Sequence, residues 1–498
     1  MNLATAFAAS AHTHASRPAI YWGEQEFSFD EVWRQSRRFA ATLRARFGVR
    51  RGDRVGLWLK NCPEFVPALF GILNLDAVVV PINNFLKAEE IHHIVADAGI
   101  DVVITDGSTA EVARKLLEMR PGLRLWSVDA PAALPENASA GLALPESRES
   151  DLAVIIYTSG TTGRPKGAML SHGNLLSNVE SCRIVLEAAA TDRFVVLLPM
   201  FHSFMLTVGI LLPMLVGGSM LVIKSVHPPK NILLEIMHRR PTILPAVPAF
   251  FRTLLSVPLP SNFPLRLCIS GGAPLPVELL REFNARMPLP LIEGYGLSEA
   301  SPVVSINPIH GPWKEGSIGK PIRDVEVSVQ DDNGQELPVG ATGEICVRGP
   351  NVMLGYWRQE EETARTIRNG WLLTGDIGHR DADGFFYITD RKKDMLLVNG
   401  INVYPREIEE ILYRFPGVKE AAVIGIPDHR RGEQPLAFVS PIEGIEIMEK
   451  ALIEFARERL ADYKVPRRVV FLPALPRNAT GKILKTHLRQ QALTVVAP

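Results

Sequence analysis

An apolar strand, Leu152 to Ile156, runs straight into Tyr157-Thr-Ser-Gly-Thr-Thr-Gly-Arg-Pro-Lys-Gly167, and a helix opens soon afterwards near Ser171. Glycines let a backbone close around an anion. Thr158, Ser159, Thr161 and Thr162 add hydroxyl donors beside Gly160, and Lys166 adds charge. So many ordered donors with a lysine have no use in a plain turn. The segment reads as a phosphate cradle between a strand and a helix, an arrangement native to α/β sheets. It is not the Walker form, because Pro165 stands where Gly-Lys would begin.

The rest of the chain repeats that rhythm. Asp53–Leu59 (strand), Cys62–Leu75 (helix), Ala77–Val80 (strand) and Ala88–Ala98 (helix) predict mostly parallel, helix-flanked sheets up to about residue 260. After Ser301, short strands punctuated by Asp331-Asp332-Asn333-Gly334, Gly340 and Asp381-Ala382-Asp383-Gly384 predict antiparallel hairpins closing into a small β-barrel. Beyond Arg391 the pattern changes again. A helix at Pro405–Phe415, strands at Ala421–Gly425 and Leu436–Val439, a helix near Lys450–Leu460 and a strand at Arg468–Leu472 predict a small α+β domain. The fold class is therefore α/β, with two mostly parallel sheets and a small barrel in a large N-terminal domain, then a small α+β C-terminal domain. At 498 residues the chain exceeds one ordinary domain.

Lys plus Arg (54) balance Asp plus Glu (54) and the charges are scattered, which argues against nucleic acid or an anionic bilayer as partner. Cys62, Cys182, Cys268 and Cys346 lie far apart, with no zinc spacing, and read as reduced thiols of a cytoplasmic protein. Met1–Pro18 has neither a basic start nor a sustained apolar run, so Asn137-Ala-Ser139 and Asn478-Ala-Thr480 read as chance sequons. Phe194–Ile223 carries no Asp, Glu, Lys or Arg over about 30 residues, the length of a membrane span. Pro199, His202, Pro213 and Gly217-Gly218 divide it, and it reads as a strand, a helix of roughly four turns and a second strand, all buried. Peripheral membrane contact and a homodimer both remain compatible with the sequence.

Further strings follow in order: Gly271-Gly-Ala-Pro274, Glu293-Gly-Tyr-Gly-Leu-Ser-Glu299, Gly370-Trp-Leu-Leu-Thr-Gly-Asp376, Asp390-Arg-Lys-Lys-Asp394, Asn399-Gly-Ile-Asn-Val-Tyr-Pro405 and Asn478-Ala-Thr-Gly-Lys482. With the cradle they make nearly the whole chain resemble the AMP-forming acyl-adenylating superfamily, which includes acyl-CoA synthetases, luciferase and peptide-synthetase adenylation domains. The resemblance implies a reaction of a carboxylic acid with ATP and then with coenzyme A. A carboxylate attacking a phosphate brings two anions together, so the site must neutralise charge and hold the reactants in line.

By that resemblance Glu299 helps hold Mg²⁺, as an oxygen ligand suited to a hard cation. Ser298, where the family usually has Thr, contacts a phosphate. Tyr295 stacks on adenine against a wall of Gly271, Gly272 and Ala273; Glu293, Gly294 and Gly296 complete that nucleotide motif. Asp376 accepts from the ribose hydroxyls, and Arg391 contacts ribose and phosphate. Lys482 is the catalytic lysine, bridging the acid's oxygen and the α-phosphate. The resemblance divides the chain into a large domain, 1–390, a hinge, 391–393, and a mobile small domain, 394–498. Lys393 is the pivot about which the small domain swings, removing Lys482 and bringing Gly400 to the site so that pantetheine passes close to backbone. Leu397 stands where several relatives have a further lysine, a departure that removes a nucleotide contact.

His202, in Pro199-Met-Phe-His-Ser-Phe204, matches the aromatic position that lines the acyl pocket and gates the carboxylate. Phe204, Met205, Leu206, Val247, Phe250, Phe251 and Val303 offer an apolar lining with no charged partner for an amino-acid ammonium. Gly294 leaves a channel open for an extended chain. The resemblance is closest to bacterial fatty acid-CoA ligases, so a medium- or long-chain fatty acid is the expected substrate. An aryl-CoA ligase, or an enzyme loading an acyl carrier protein, fits the same motifs. A binding or oxidative protein on the same scaffold is the rival from another class; the retained Lys166 and Lys482 argue against it.

Overall fold

The structure is a computed structural model, and it describes residues 1–129, 142–158, 165–225, 228–257, 262–428, 430–478 and 481–495. The cradle strand Leu152–Thr158 continues sideways through Val78–Pro81, Arg54–Trp58, Val102–Thr105 and Arg124–Ser127, all parallel. The inner strands are short runs rich in Val, Ile and Leu because helices cover both faces, leaving no polar side to alternate with. On the other side Lys166–Ser171 and Gly355–Tyr356 add antiparallel edges.

The second sheet carries Leu291–Gly296, Leu267–Ser270, Ile243–Ala246, Arg193–Val196, Ser219–Val222 and Pro18–Trp22 in parallel. Antiparallel strands border it, Val303–Ile306 at one side and Gln25–Ser28 at the other. Ligands of open α/β sheets lie beyond the carboxyl ends of the strands. Here those ends lead into Pro199–His202, Val247, Gly271–Ala273 and Tyr295, and the first sheet contributes Thr158.

The long apolar stretch is a buried unit between strands. No helix among the described residues is long and apolar enough to cross a membrane. Its middle differs from the expected regular helix: Met205–Leu211 is π-helical, followed by the α-helical Leu212–Val216. Pro213 has no N–H to return to Gly209, so a regular ladder fails there. The wide turn closes just before it, with Leu212 N–H reaching Thr207 O. A Cβ on Gly209 would lie 2.0 Å from Met205 Sδ, so the methionine can fold along this helix only past a glycine.

After Ser301 come the antiparallel strands Glu326–Gln330, Gly343–Arg348, Ile367–Arg368, Trp371–Arg380 and Phe386–Arg391, a half-barrel. Its turns form for the reasons their sequences suggest. Asp331 Oδ1 accepts from Asn333 N–H and Gln335 N–H (2.9 and 2.8 Å), and Asp381 Oδ1 from Asp383 N–H and Phe385 N–H (3.0 and 2.9 Å). Gly334 and Gly384, both at φ +80°, supply the left-handed step.

The main apolar core runs from Leu3 to Phe386, and separate clusters begin at Leu396. The latter fill the space between helices Pro405–Tyr413, Glu449–Arg457 and Lys485–Val495 and a sheet built on the long hairpin Val418–Asp428 and Gly432–Pro441, with Val469–Phe471 parallel to it.

Candidate active site

Thr158 and Lys166 face each other across the strand pair that flanks the cradle loop. The expected donors Ser159, Gly160, Thr161 and Thr162 lie outside the described residues. What is described is the base of the cradle. Thr158 Oγ1 and Tyr356 Oη both donate to Glu299 Oε1, at 3.3 and 3.0 Å. Lys166 Nζ stands 5.4 Å from the centroid of the Tyr356 ring and pairs with Glu362. Ser298 Oγ lies 2.9 Å from Ser203 Oγ, which ties the Glu299 turn to the loop carrying His202.

Beside the cradle is a wall shaped by missing side chains. A Cβ on Gly271 would come 3.2 Å from the Phe204 ring, and Gly272, at φ +76°, lies against Val247. Ala273 completes the turn, half-buried. Gly296 is constrained more severely: a Cβ there would lie 2.1 Å from Pro302 O, so only glycine permits the strand to turn back on itself. The two strands Trp371–Arg380 and Phe386–Arg391 place Asp376 opposite Arg391. Arg391 Nε pairs with Asp376 Oδ1 at 3.0 Å, and Tyr295 Oη donates to Oδ2 at 2.5 Å. Burial, and then the Asp376 charge, push the Tyr295 phenol well above its usual range, so it remains a donor.

The last component comes from the other end of the chain. Asn478 Oδ1 accepts from Lys482 N–H at 2.9 Å, Asn478 O accepts from Gly481 N–H at 3.0 Å, and Arg477 donates to Gly481 O and to Glu420. A Cβ on Gly481 would meet Val247 at 3.3 Å, so the loop lies on the same residue that backs Gly272. Ala479 and Thr480 lie outside the described residues. Burial first, then the Arg391 guanidinium, lower the Lys482 ammonium to about 8, with Asp376 opposing. Burial and the Lys482 charge lower His202 to about 4, so the imidazole is neutral near pH 7. Its Nδ1 accepts from Phe204 N–H at 3.3 Å, which leaves the proton on Nε2.

His202, Tyr295, Asp376, Arg391 and Lys482 thus gather around one cleft, with Thr158, Lys166, Ser298 and Glu299 along its side. Lys393 sits on the exposed turn after Arg391. Gly400, at φ +77°, is at the tip of the hairpin Leu396–Val398 and Ile401–Val403, with nothing within 4 Å of where a Cβ would stand. It touches none of these groups.

The family model described as AMP-binding enzyme matches residues 7–357, and that of the AMP-binding enzyme C-terminal domain matches 407–482. This chain is an AMP-binding enzyme. It is 38% identical to a feruloyl-CoA synthase of Amycolatopsis sp over 482 residues, covering 95% of each chain. It is 36% identical to a long-chain-fatty-acid–CoA ligase of Bacillus subtilis over 524 residues, covering 97% of this chain and 93% of the relative. The ATP-bound crystal structure of MatB from Rhodopseudomonas palustris superimposes with a TM-score of 0.92 at 34% identity, with both chains covered in full. The apo structure of that protein superimposes at 0.78. The enzyme is an adenylate-forming acyl-CoA ligase, that is, an AMP-forming acid–thiol ligase.

In this ligase Glu293 braces the turn that follows Gly271 from inside. It is buried, and its carboxylate accepts Leu275 N–H at 3.0 Å. Burial raises it to about 7, with Arg406 of the C-terminal region opposing. An acid whose folded value exceeds its unfolded one binds more protons folded, so it costs stability as pH rises from 4.5 through 7. Glu293→Gln keeps the acceptor and removes the charge. We expect its unfolding free energy to exceed the wild type's at pH 8, by about 3 kcal/mol, and to match it near pH 4.5. Parallel urea titrations at the two pH values check this.

Sequence reasoning missed Tyr356, Glu362 and Ser203. Tyr356 lies in a two-residue strand and Glu362 in a run of three glutamates, where no spacing distinguishes one from the next.

Proposed function

We propose that this ligase activates a medium- or long-chain fatty acid with ATP and passes the acyl group to coenzyme A. In the first step an oxygen of the acid attacks the α-phosphorus, and pyrophosphate leaves with the electrons of the broken P–O bond. In the second the CoA sulfur attacks the acyl carbon, and AMP leaves. The Lys482 ammonium is positioned for the first step, bridging acid and α-phosphate where negative charge gathers. Neutral His202 lines the carboxylate's approach without competing for it as a second cation. Thr158 and Lys166 hold the polyphosphate, and Tyr295, Asp376 and Arg391 hold the nucleoside.

Glu299, with the Thr158 hydroxyl 3.3 Å away, suits Mg²⁺, which takes one or two carboxylates and fills its shell with water and phosphate oxygen. Bound there, Mg²⁺ would neutralise phosphate charge. Among the described residues no group of three His, Cys, Asp or Glu side chains forms a cage that would need no substrate.

What supports the fatty-acid reading is the apolar character of the residues proposed to wall the acyl pocket beside His202. Phe204, Met205, Leu206, Val247, Phe251 and Val303 are all buried. Such a wall favours methylenes and offers a charged substrate no partner. The 38% identical feruloyl-CoA synthase favours a second reading, an aryl acid in the same pocket. Pyrophosphate release across alkyl acids of increasing length and hydroxycinnamic acids, with CoA and carrier protein as alternative thiols, separates the two. Gly294→Ile adds a geometric arm. A Cβ there would stand 3.4 and 3.5 Å from Ile306 Cγ1 and Cδ1, so the further atoms of isoleucine have to enter the cleft or displace that residue. We expect long acids to lose roughly tenfold or more in kcat/KM and short ones to survive. Hydroxycinnamates as the best wild-type substrates would overturn the fatty-acid reading.

We further propose that residues 394–498 move as a body about Lys393 between the two steps. The better superposition on ATP-bound than on apo MatB supports reading the present arrangement as the adenylate-forming one.

A further inference from the structure

On the reading above, Lys166 is the cation of the phosphate cradle, yet it already has a counter-ion. Its ammonium pairs with the Glu362 carboxylate; the lysine side chain is 8% exposed and the glutamate 28%. The backbone fixes this meeting. Strand Gly355–Tyr356 pairs with the strand that Lys166 begins, and Trp357 N–H donates to Gly167 O at 2.8 Å. Tyr356 N–H donates to Thr363 Oγ1 at 2.8 Å, and that hydroxyl donates to Gln359 O at 2.8 Å. Gly355, at φ +139°, allows the approach, since a Cβ there would come 2.7 Å from Thr363 Cγ2. Helix Glu360–Thr366 therefore hangs from the lysine's own sheet, which keeps the Glu362 backbone within reach of Lys166 while rotation about the glutamate's own side-chain bonds can still open the pair.

A shielded pair resists salt screening, and removing one member leaves the other uncompensated. A polyphosphate carries the same sign of charge as Glu362 and needs the same ammonium. We propose that Glu362 is a built-in counter-ion that competes with polyphosphate for Lys166, holding the ammonium in place before nucleotide arrives and reclaiming it as pyrophosphate leaves. Glu362 touches no reactant and acts through Lys166, so it is a positioning residue. The inference rests on Lys166 being a phosphate contact.

The test is calorimetric titration of the full-length enzyme with inorganic pyrophosphate and with ATP. Glu362→Gln, which keeps the shape and an acceptor oxygen, is expected to bind pyrophosphate about tenfold more tightly. Pyrophosphate should inhibit its acid activation at correspondingly lower concentration, and its KM for ATP should fall. Glu362→Asp keeps the charge and should stay nearer the wild type. In Lys166→Met the affinity should drop, and adding Glu362→Gln to it should change nothing further. Weakened binding in Lys166→Met together with wild-type or weaker binding in Glu362→Gln would overturn the competition alone. Wild-type pyrophosphate affinity in Lys166→Met would overturn the phosphate role of Lys166, and the competition with it.

Discussion

Lys482→Ala should lower acyl-adenylate formation by about a hundred- to a thousandfold, the usual cost of losing one preorganised donor at developing charge. Transfer from a presynthesised acyl-adenylate to CoA should remain near wild type. The lysine stands among His202, Asp376 and Arg391; on the proposed function the first step gathers charge there, and the second needs no cation between acid and α-phosphate. Its lowered value adds a signature. Depressed from 10.5 to about 8, the ammonium deprotonates as pH rises through 8. The kcat/KM for adenylation, which reports the free enzyme, should therefore fall on the alkaline side with a midpoint near that value. Lys482→Arg, which does not titrate in this range, should lack that limb. Pyrophosphate exchange and single-turnover thioester formation, each measured across pH, check both parts. Equal loss of the two half-reactions in Lys482→Ala would show that the lysine serves both.

How far such a site can be read from sequence depends on how local its causes are. The helix start at Ser171 was legible because its cause is adjacent: the Ser171 side chain accepts Asn174 N–H, and the Asn174 side chain accepts Ser171 N–H. The turns at Asp331 and Asp381 were legible for the same reason, each aspartate binding amides two and four residues on. The Tyr295–Asp376 bond spans 81 residues and the Lys166–Glu362 pair 196. Nothing near either residue announces its partner. Motif resemblance named Tyr295 and Asp376 separately, but not that Tyr295 and Arg391 each take one oxygen of Asp376. The π-helical turn had a visible cause in Pro213, yet a proline within an apolar run does not say whether the ladder breaks, bends or widens.

Lys393→Pro should suppress adenylation and spare thioester formation, and local geometry decides that direction. Lys392 is tied to the large body: its N–H donates to Gly375 O at 2.8 Å, and its ammonium pairs with Asp332 and Glu344 at 2.7 and 3.1 Å. Asp394 is tied to the last helix, pairing with Arg489 at 2.7 Å. Lys393 is the single residue between the two anchors. It also sits third in a turn closed by Asp394 N–H to Arg391 O at 2.9 Å. Proline at that place drives the preceding residue out of the helical region, so it penalises the turn seen here. The penalised arrangement is the one that holds Gly481 against Val247 and Lys482 among Asp376 and Arg391. A cost of about 2 kcal/mol would lower pyrophosphate exchange roughly thirtyfold. Single-turnover transfer from a presynthesised acyl-adenylate should hold or rise, because the competing arrangement has been weakened. Lys393→Ala separates loss of the ammonium from loss of backbone freedom and should leave both half-reactions within a few-fold of wild type. A proline variant that folds normally and keeps wild-type rates in both would exclude Lys393 as the pivot and move the hinge to Lys392 or Asp394.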